Sequence, residues 1–245
     1  MIRELFKRNK NHPKDTASPQ EALCNVKKFG NHLICNGTHE KDRSIFTFIK
    51  LLSDKISLDS TLDMIAVKEY EMSDIDGFFY ELEDSRYLYN TLYRKIRRIQ
   101  HTTCDQYDLH ISLSRDPVIT FPRERIRLVK CFRDIGEPIQ KWTEDELNHE
   151  AALYLPMGLT HIYRGNHSSY TGILKGEGSI HIHPCSSHSV HDISPLYDLI
   201  QFDGENFVKA GTNIVVGKPY SFEHGCIFEL GRLIAEKNIE FTERI

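Results

Sequence analysis

Residues 165–169, Gly-Asn-His-Ser-Ser, could bind an anion, because they stand where a strand pattern gives way to a helix pattern. Residues 159–163 are apolar enough for a short strand, and apolar residues then recur at helical spacing after residue 169. A helix begins with backbone N–H groups that have no partner inside the helix, and with the positive end of its dipole. The sequence therefore predicts a phosphate-binding corner made of Gly165, Asn166, His167, Ser168 and Ser169.

Each residue of this corner has a predicted role. Gly165 lets the backbone turn and approach a ligand, and Asn166 is the helix N-cap. The hydroxyls of Ser168 and Ser169 cradle the phosphate, and His167 donates to it, which makes His167 the candidate catalytic residue. The alternative is structural: Asn and Ser are good capping residues, and His167 bonds back to the strand.

Two arginines could balance the charge of a phosphate bound at the corner. Arg164 directly precedes Gly165, and Arg123 begins a basic helix that also carries Arg125, Arg127 and Lys130. Residues four apart on a helix share a face, so Arg123 and Arg127 point the same way. The alternative is a basic face that is simply solvated.

Histidines are the other candidate chemistry. The chain has 13 of them, and His181 and His183, two apart on a predicted strand, point to the same side. With His191 they could bind zinc or another divalent ion, as the basis of a metal-dependent hydrolase. No Cys-x-x-Cys or His-Glu-x-x-His pattern accompanies them, so surface or structural histidines are the alternative.

The order strand, Gly-x-His, helix, Gly, strand resembles the ParB/sulfiredoxin-like superfamily over about residues 115–184. The chain also resembles an uncharacterised bacterial family with Gly-Asn-His-Ser at this corner, preceded by Asn-His and Pro-x-Gly; here those are Asn148-His149 and Pro156-Met157-Gly158. The superfamily resemblance implies a phosphate of ATP or CTP on the helix N-terminus, with magnesium as a companion of the nucleotide. Asn166 stands where sulfiredoxin has its cysteine, so sulfiredoxin activity is not expected. Ser168 and Ser169 stand where the superfamily usually has an arginine.

Composition restricts the class of protein. The chain of 245 residues is 27% charged, with a net charge of −4 and a pI of about 6.4. Nucleic-acid binding is possible but unsupported by this charge, because duplex-binding domains are usually basic. No apolar run is long enough to span a bilayer, no signal peptide is visible, and the six cysteines form no Cys-x-x-Cys. We therefore expect a cytoplasmic protein with no membrane contact.

The first part of the chain is predicted to be helical. Ser18-Pro19-Gln20-Glu21 is a strong helix start, and Gly30 is expected to end that helix. Further helices are predicted over residues 43–56, 57–65 and 75–99. Residues 1–105 thus form a helical region that could bind a protein partner.

Strands are predicted only in the second part, residues 106–245. They cover residues 109–113, 139–142, 151–155, 159–163, 179–183 and 214–216, with a hairpin at 202–208. Helices are predicted over 123–135, with Val129, Phe132 and Ile135 inward, from Ser194 to Ile200, and after Ser221; residues 185–195 are predicted as a loop. The fold class is α/β (α+β): a helical region against a small mixed sheet domain.

Three functions remain open at the level of sequence. The first is a nucleotide- or phosphate-binding protein, with phosphohydrolase or nuclease activity as an extension. The second is a non-enzymatic interaction module, which the missing superfamily arginine favours. The third is the metal-dependent hydrolase that uses His181, His183 and His191.

Overall fold

The computed structural model describes residues 17–35, 43–67, 108–183 and 186–241. Within these ranges the helices are α1 (Pro19–Cys35), α2 (Ser44–Ala66), α3 (Arg125–Asp134), α4 (Asn166–Lys175) and α5 (Phe222–Glu236), with a short 3₁₀ turn at Ser194–Leu196. The strands are β1 (Leu109–Ser112), β2 (Val118–Ile119), β3 (Glu150–Leu155), β4 (Leu159–Arg164), β5 (Ser179–Ile182), β6 (Ser189–Asp192), β7 (Ile200–Phe202), β8 (Phe207–Lys209) and β9 (Val215–Gly217). The protein is a mixed α+β fold, as predicted.

One hydrophobic core joins α1 and α2 to α5 and to the sheet. Phe46 and Ile49 of α2 are fully buried in it together with Phe228 of α5. The prediction that Gly30 ends α1 was wrong, because α1 continues to Cys35 and packs on α5. A Cβ atom at Gly30 would lie only 2.5 Å from Leu230 Cδ2, so this glycine permits close helix packing.

The two helices predicted over 43–56 and 57–65 are one helix, α2. Ser57 did not break it, because its buried hydroxyl accepts a hydrogen bond from the Thr120 amide at 3.1 Å. Thr61 donates to the Ser57 carbonyl at 2.7 Å. The predicted helix over 75–99 and the predicted boundary near residue 105 lie outside the described residues.

The central sheet has the strand order β2-β4-β3-β6. β2 runs parallel to β4, β3 antiparallel to β4, and β6 parallel to β3. The predicted loop over 185–195 was wrong, because β6 pairs along β3 with Leu153 opposite Val190. The strand predicted over 139–142 was also wrong, since only Gln140 makes a bridge, to Gly136.

Two smaller sheets flank the central one. β1 pairs antiparallel with β5, and β7, β8 and β9 form an antiparallel sheet that contains the predicted hairpin. β4 and β5 therefore lie in different sheets, although α4 alone separates them along the chain. No helix in the described ranges is long and apolar enough to cross a bilayer.

Helices α3 and α4 pack side by side and run parallel. At one end, the His167 ring of α4 contacts the amides that precede α3, and at the other end Lys175 donates to the Phe132 carbonyl at 2.9 Å. The prediction that Val129 and Phe132 point inward was wrong, because α3 buries Leu128 instead. Leu128 packs with Met64 of α2 and Tyr170 of α4.

Candidate functional site

The corner between β4 and α4 turns on Gly165. Its φ of +77° lies in the left-handed region, and a Cβ atom at this position would overlap the ring of His149. Gly165 is the N-cap residue, so the prediction that Asn166 caps α4 was wrong: Asn166 is the first helical residue. A residue with a side chain would meet both backbone strain and the buried His149 ring here.

The Asn166 side chain ties the corner to the chain after β2. Its Oδ1 accepts hydrogen bonds from Thr120 Oγ1 at 2.8 Å and from the Phe121 amide at 2.9 Å, and its Nδ2 donates to the Tyr163 carbonyl at 3.0 Å. Asn166 is buried. Both ends of its amide are therefore used to hold the strand ends in place.

The His167 side chain points to the start of α3. Its Nε2 accepts hydrogen bonds from the amides of Glu124 at 3.0 Å and Arg123 at 3.3 Å. Burial, with the positive charge of Arg127, lowers the pKa of His167, so the ring is neutral and its proton lies on Nδ1. Nε2 therefore binds the two amides that directly precede α3 and is not available to a phosphate.

Ser168 belongs to a short chain of hydrogen bonds. The Asp145 amide donates to His149 Nδ1 at 2.8 Å, so the neutral ring carries its proton on Nε2, which lies 2.8 Å from Ser168 Oγ. Ser168 Oγ in turn donates to the Gly165 carbonyl at 2.9 Å. Because burial lowers the pKa of His149 and Nε2 is the donor, this pair is not arranged as a serine nucleophile with its base.

The backbone at the start of α4 is open. Counting from the start of the helix, Ser169 is the first residue whose amide has an acceptor: it donates to the Gly165 carbonyl at 3.0 Å. The amides of Asn166, His167 and Ser168 donate to no group in the described ranges. Ser169 Oγ is buried and likewise has no hydrogen-bond partner within those ranges. Within the described ranges the corner thus has three unpaired N–H donors, the kind of group that binds an anion at a helix start.

The two predicted arginines differ in how they relate to this start. The Arg164 side chain is exposed and lies 3.9 Å from a Glu150 carboxylate oxygen, too far for a strong pair. Arg123 is exposed and precedes α3, with its amide on His167. Arg164 therefore adjoins the corner along the chain, and Arg123 contacts it through its backbone amide.

The three histidines proposed as metal ligands are not brought into one group. His181 Nε2 lies 2.6 Å from Asp108 Oδ1, and the ring of His183 packs beside it at 4.7 Å between centroids. His191 stands on β6, in another sheet, stacked on Tyr154. In the described part of the chain, no group of three or more His, Cys, Asp or Glu side chains is arranged to hold a metal ion.

The Glu144 carboxylate binds His188 and the backbone of His181. It accepts hydrogen bonds from His188 Nε2 and from the His181 amide, each at 2.9 Å. Burial would raise the pKa of Glu144, but these two hydrogen bonds outweigh it and the pKa is lowered. The carboxylate thereby fastens the loop before β3 to β5 and β6.

Sequence reasoning missed a set of buried rings on one face of the central sheet. Burial lowers the pKa of His161 to about 3, and of His191 and His224 to about 4. The hydroxyls of Tyr154 and Tyr163 lie 2.6 Å apart on the same face. The alternation along residues 159–164 could have placed His161 inside, but the contributions of β6 and α5 have no local signal.

The chain belongs to the family of unknown function DUF6710, whose model matches residues 6–241. Neither a curated protein nor a solved structure matches it significantly. The family match agrees with the expected membership of an uncharacterised family and covers nearly the whole chain.

Proposed function

We propose that this protein binds a nucleotide or another phosphate ligand at the corner between β4 and α4. The observation that carries the proposal is the set of three amides at the start of α4 that have no acceptor in the described part of the chain. They lie beside a second helix whose start is at the same end. Because α3 and α4 are parallel, the positive ends of their dipoles reinforce each other where Arg123 also stands. Both helix dipoles would therefore stabilise an anion bound at this end.

The resemblance to the ParB/sulfiredoxin-like superfamily supports the same site, because that superfamily places a phosphate on this type of helix start. The resemblance rests on the order β4, Gly-Asn-His, α4, β5 along the chain, although β4 and β5 pair in different sheets. In this proposal the ligand is held by the amides of Asn166, His167 and Ser168. Arg123 and Arg164 supply the positive charge that an arginine on the helix would otherwise provide.

The extension to phosphohydrolase or nuclease activity, with magnesium as the companion of a nucleotide, rests on His167. Its Nε2 is occupied by two amides, so only Nδ1–H is left to donate to a ligand. A catalytic role for His167 stays a prediction, as does a protein partner on the N-terminal helices.

The test is isothermal titration of the full chain with ATP, CTP, GTP and inorganic phosphate, each with and without magnesium. We expect micromolar binding of a nucleotide, and about tenfold weaker binding in Arg123→Glu and Arg164→Glu, since tenfold corresponds to about 1.4 kcal/mol. Lys209→Glu is the matched control, because Lys209 is an exposed cation of the three-stranded sheet. Absence of binding by a folded protein, or equal loss in the control, contradicts the proposal.

A further inference from the structure

Helix α3 carries apolar side chains on a face that the fold leaves open. Ile126 is 85% exposed and Val129 is 62% exposed, and Phe132 is also exposed. These residues follow one another at three-residue intervals, so neighbours share a face of the helix. Together with Lys130 and Arg133 we call them the α3 surface. Exposed apolar side chains that adjoin on one helix form a patch, and such patches are candidate binding surfaces.

The α3 surface is also positively charged. Arg133 pairs with Asp134 at 2.7 Å, whereas Lys130 makes no ion pair with any residue of the described ranges. Since the whole chain has a net charge of −4, this basic face is a local feature. It is complementary to an occupant that combines apolar and acidic side chains.

The chain itself leaves the described part next to this surface. Arg125 Nε donates to the Met64 carbonyl at 3.0 Å, which places the start of α3 against the end of α2. The last residues before the gap include Ile65, 46% exposed, and Val67, 41% exposed. Description resumes at Asp108, so about 40 residues connect two points of the same body.

We propose that residues 69–84 of this chain bind the α3 surface. Among these 16 residues seven are acidic and none is Lys or Arg. The apolar residues among them are Tyr70, Met72, Ile75, Phe78, Phe79, Tyr80 and Leu82. The composition therefore matches both properties of the surface, and the segment begins two residues after Val67, so the entropy of bringing it there is small.

Hydrogen exchange of the full chain, read by mass spectrometry, tests this. We expect the amides of residues 69–84 to exchange at least tenfold more slowly than a free peptide of the same sequence. In an Ile126→Asp/Val129→Asp variant that protection is lost, while exchange in α4 stays unchanged. Both side chains are largely exposed, so the two substitutions remove no core packing. Leu147→Asp is the matched control, because Leu147 is 92% exposed in the loop before β3.

Three results overturn the inference. One is the absence of protection over residues 69–84 in the unmodified chain. A second is protection that the α3 variant leaves intact, which would put the segment elsewhere. The third is protection that disappears on dilution together with a dimer seen by light scattering, which would make a second copy the occupant. None of these outcomes bears on phosphate binding at the corner.

Discussion

At the start of α5, the Ser221 hydroxyl accepts a hydrogen bond from the His224 amide at 3.3 Å, whereas no side chain caps the start of α4. Both starts are rich in polar residues, and each has a histidine in its first turn. At α5 the polar group serves its own helix. At α4, Asn166 and His167 instead bind neighbouring segments, and the first three amides of the helix have no acceptor among the described residues. Residue type alone therefore does not tell whether a polar side chain caps its own helix or contacts a neighbouring segment.

The largest expected difference between the two helix starts is the pH response of their histidines, His224 of α5 and His167 of α4. Burial lowers the pKa of His224 to about 4, while His167, half-buried, has a lowered pKa too. A histidine whose pKa falls on folding stabilises the protein above its unfolded pKa of about 6.5, and this stability is lost as pH falls towards the folded value. For His224 the loss between pH 6.5 and pH 4 is about 3 kcal/mol.

Urea unfolding at a series of pH values checks this. We expect the free energy of unfolding of the unmodified chain to fall steeply below pH 6.5, because His161 and His191 add to His224. His224→Gln should make the dependence shallower by about 1.4 kcal/mol per pH unit, and His167→Gln should do so less. Equal pH dependence in the two variants and the parent would show that these rings titrate as in the unfolded chain.

The two N-cap residues, Gly165 of α4 and Ser221 of α5, should also differ in how much an alanine substitution lowers the free energy of unfolding. Gly165→Ala combines a left-handed φ with overlap on His149, so we expect a loss of about 2–3 kcal/mol in the free energy of unfolding. Ser221→Ala removes one capping hydrogen bond and should cost about 1 kcal/mol. Both are measured by urea unfolding at neutral pH.

Gly176→Ala controls for backbone strain alone. Its φ is +72°, close to that of Gly165, but a Cβ atom there meets nothing within 4 Å. We expect a cost of about 1–2 kcal/mol, from the left-handed conformation only. If Gly165→Ala costs no more than Gly176→Ala, the close approach of His149 has no energetic role at the corner.

Local patterns predicted much of the fold. The strand over 159–163, the helix that follows it, the hairpin at 202–208 and the Ser221 cap all follow from spacing and turn residues near in sequence. The errors came from contacts between distant residues. Gly30 lies inside α1 because Leu230 packs against it. Residues 189–192 form β6 because they pair with β3. Neither partner can be identified from the local sequence.

The sequence predicted where the strand-to-helix corner lies but not which side chains contact each other there. The glycine turn and the helix start at residue 165 follow from the sequence, as does the presence of Arg164 beside them. That Asn166 binds Thr120, and that His149 rests on Gly165, depends on the packing of β2 and of the loop before β3. The side chains of Asn166, His167 and Ser168 were expected to face a ligand but contact the protein. Within the described ranges, the unpaired groups at the corner are the backbone amides of these three residues and Ser169 Oγ.

The most direct test of the account is an amide NMR titration of the full chain with inorganic phosphate. We predict that the N–H resonances of Asn166, His167 and Ser168 shift and saturate together, while that of His224, whose amide already donates to Ser221 Oγ, does not follow. That result would place the anion on the uncapped helix start and not on the capped one. Unmoved resonances at residues 166–168, or equal shifts at both helix starts, would contradict the account.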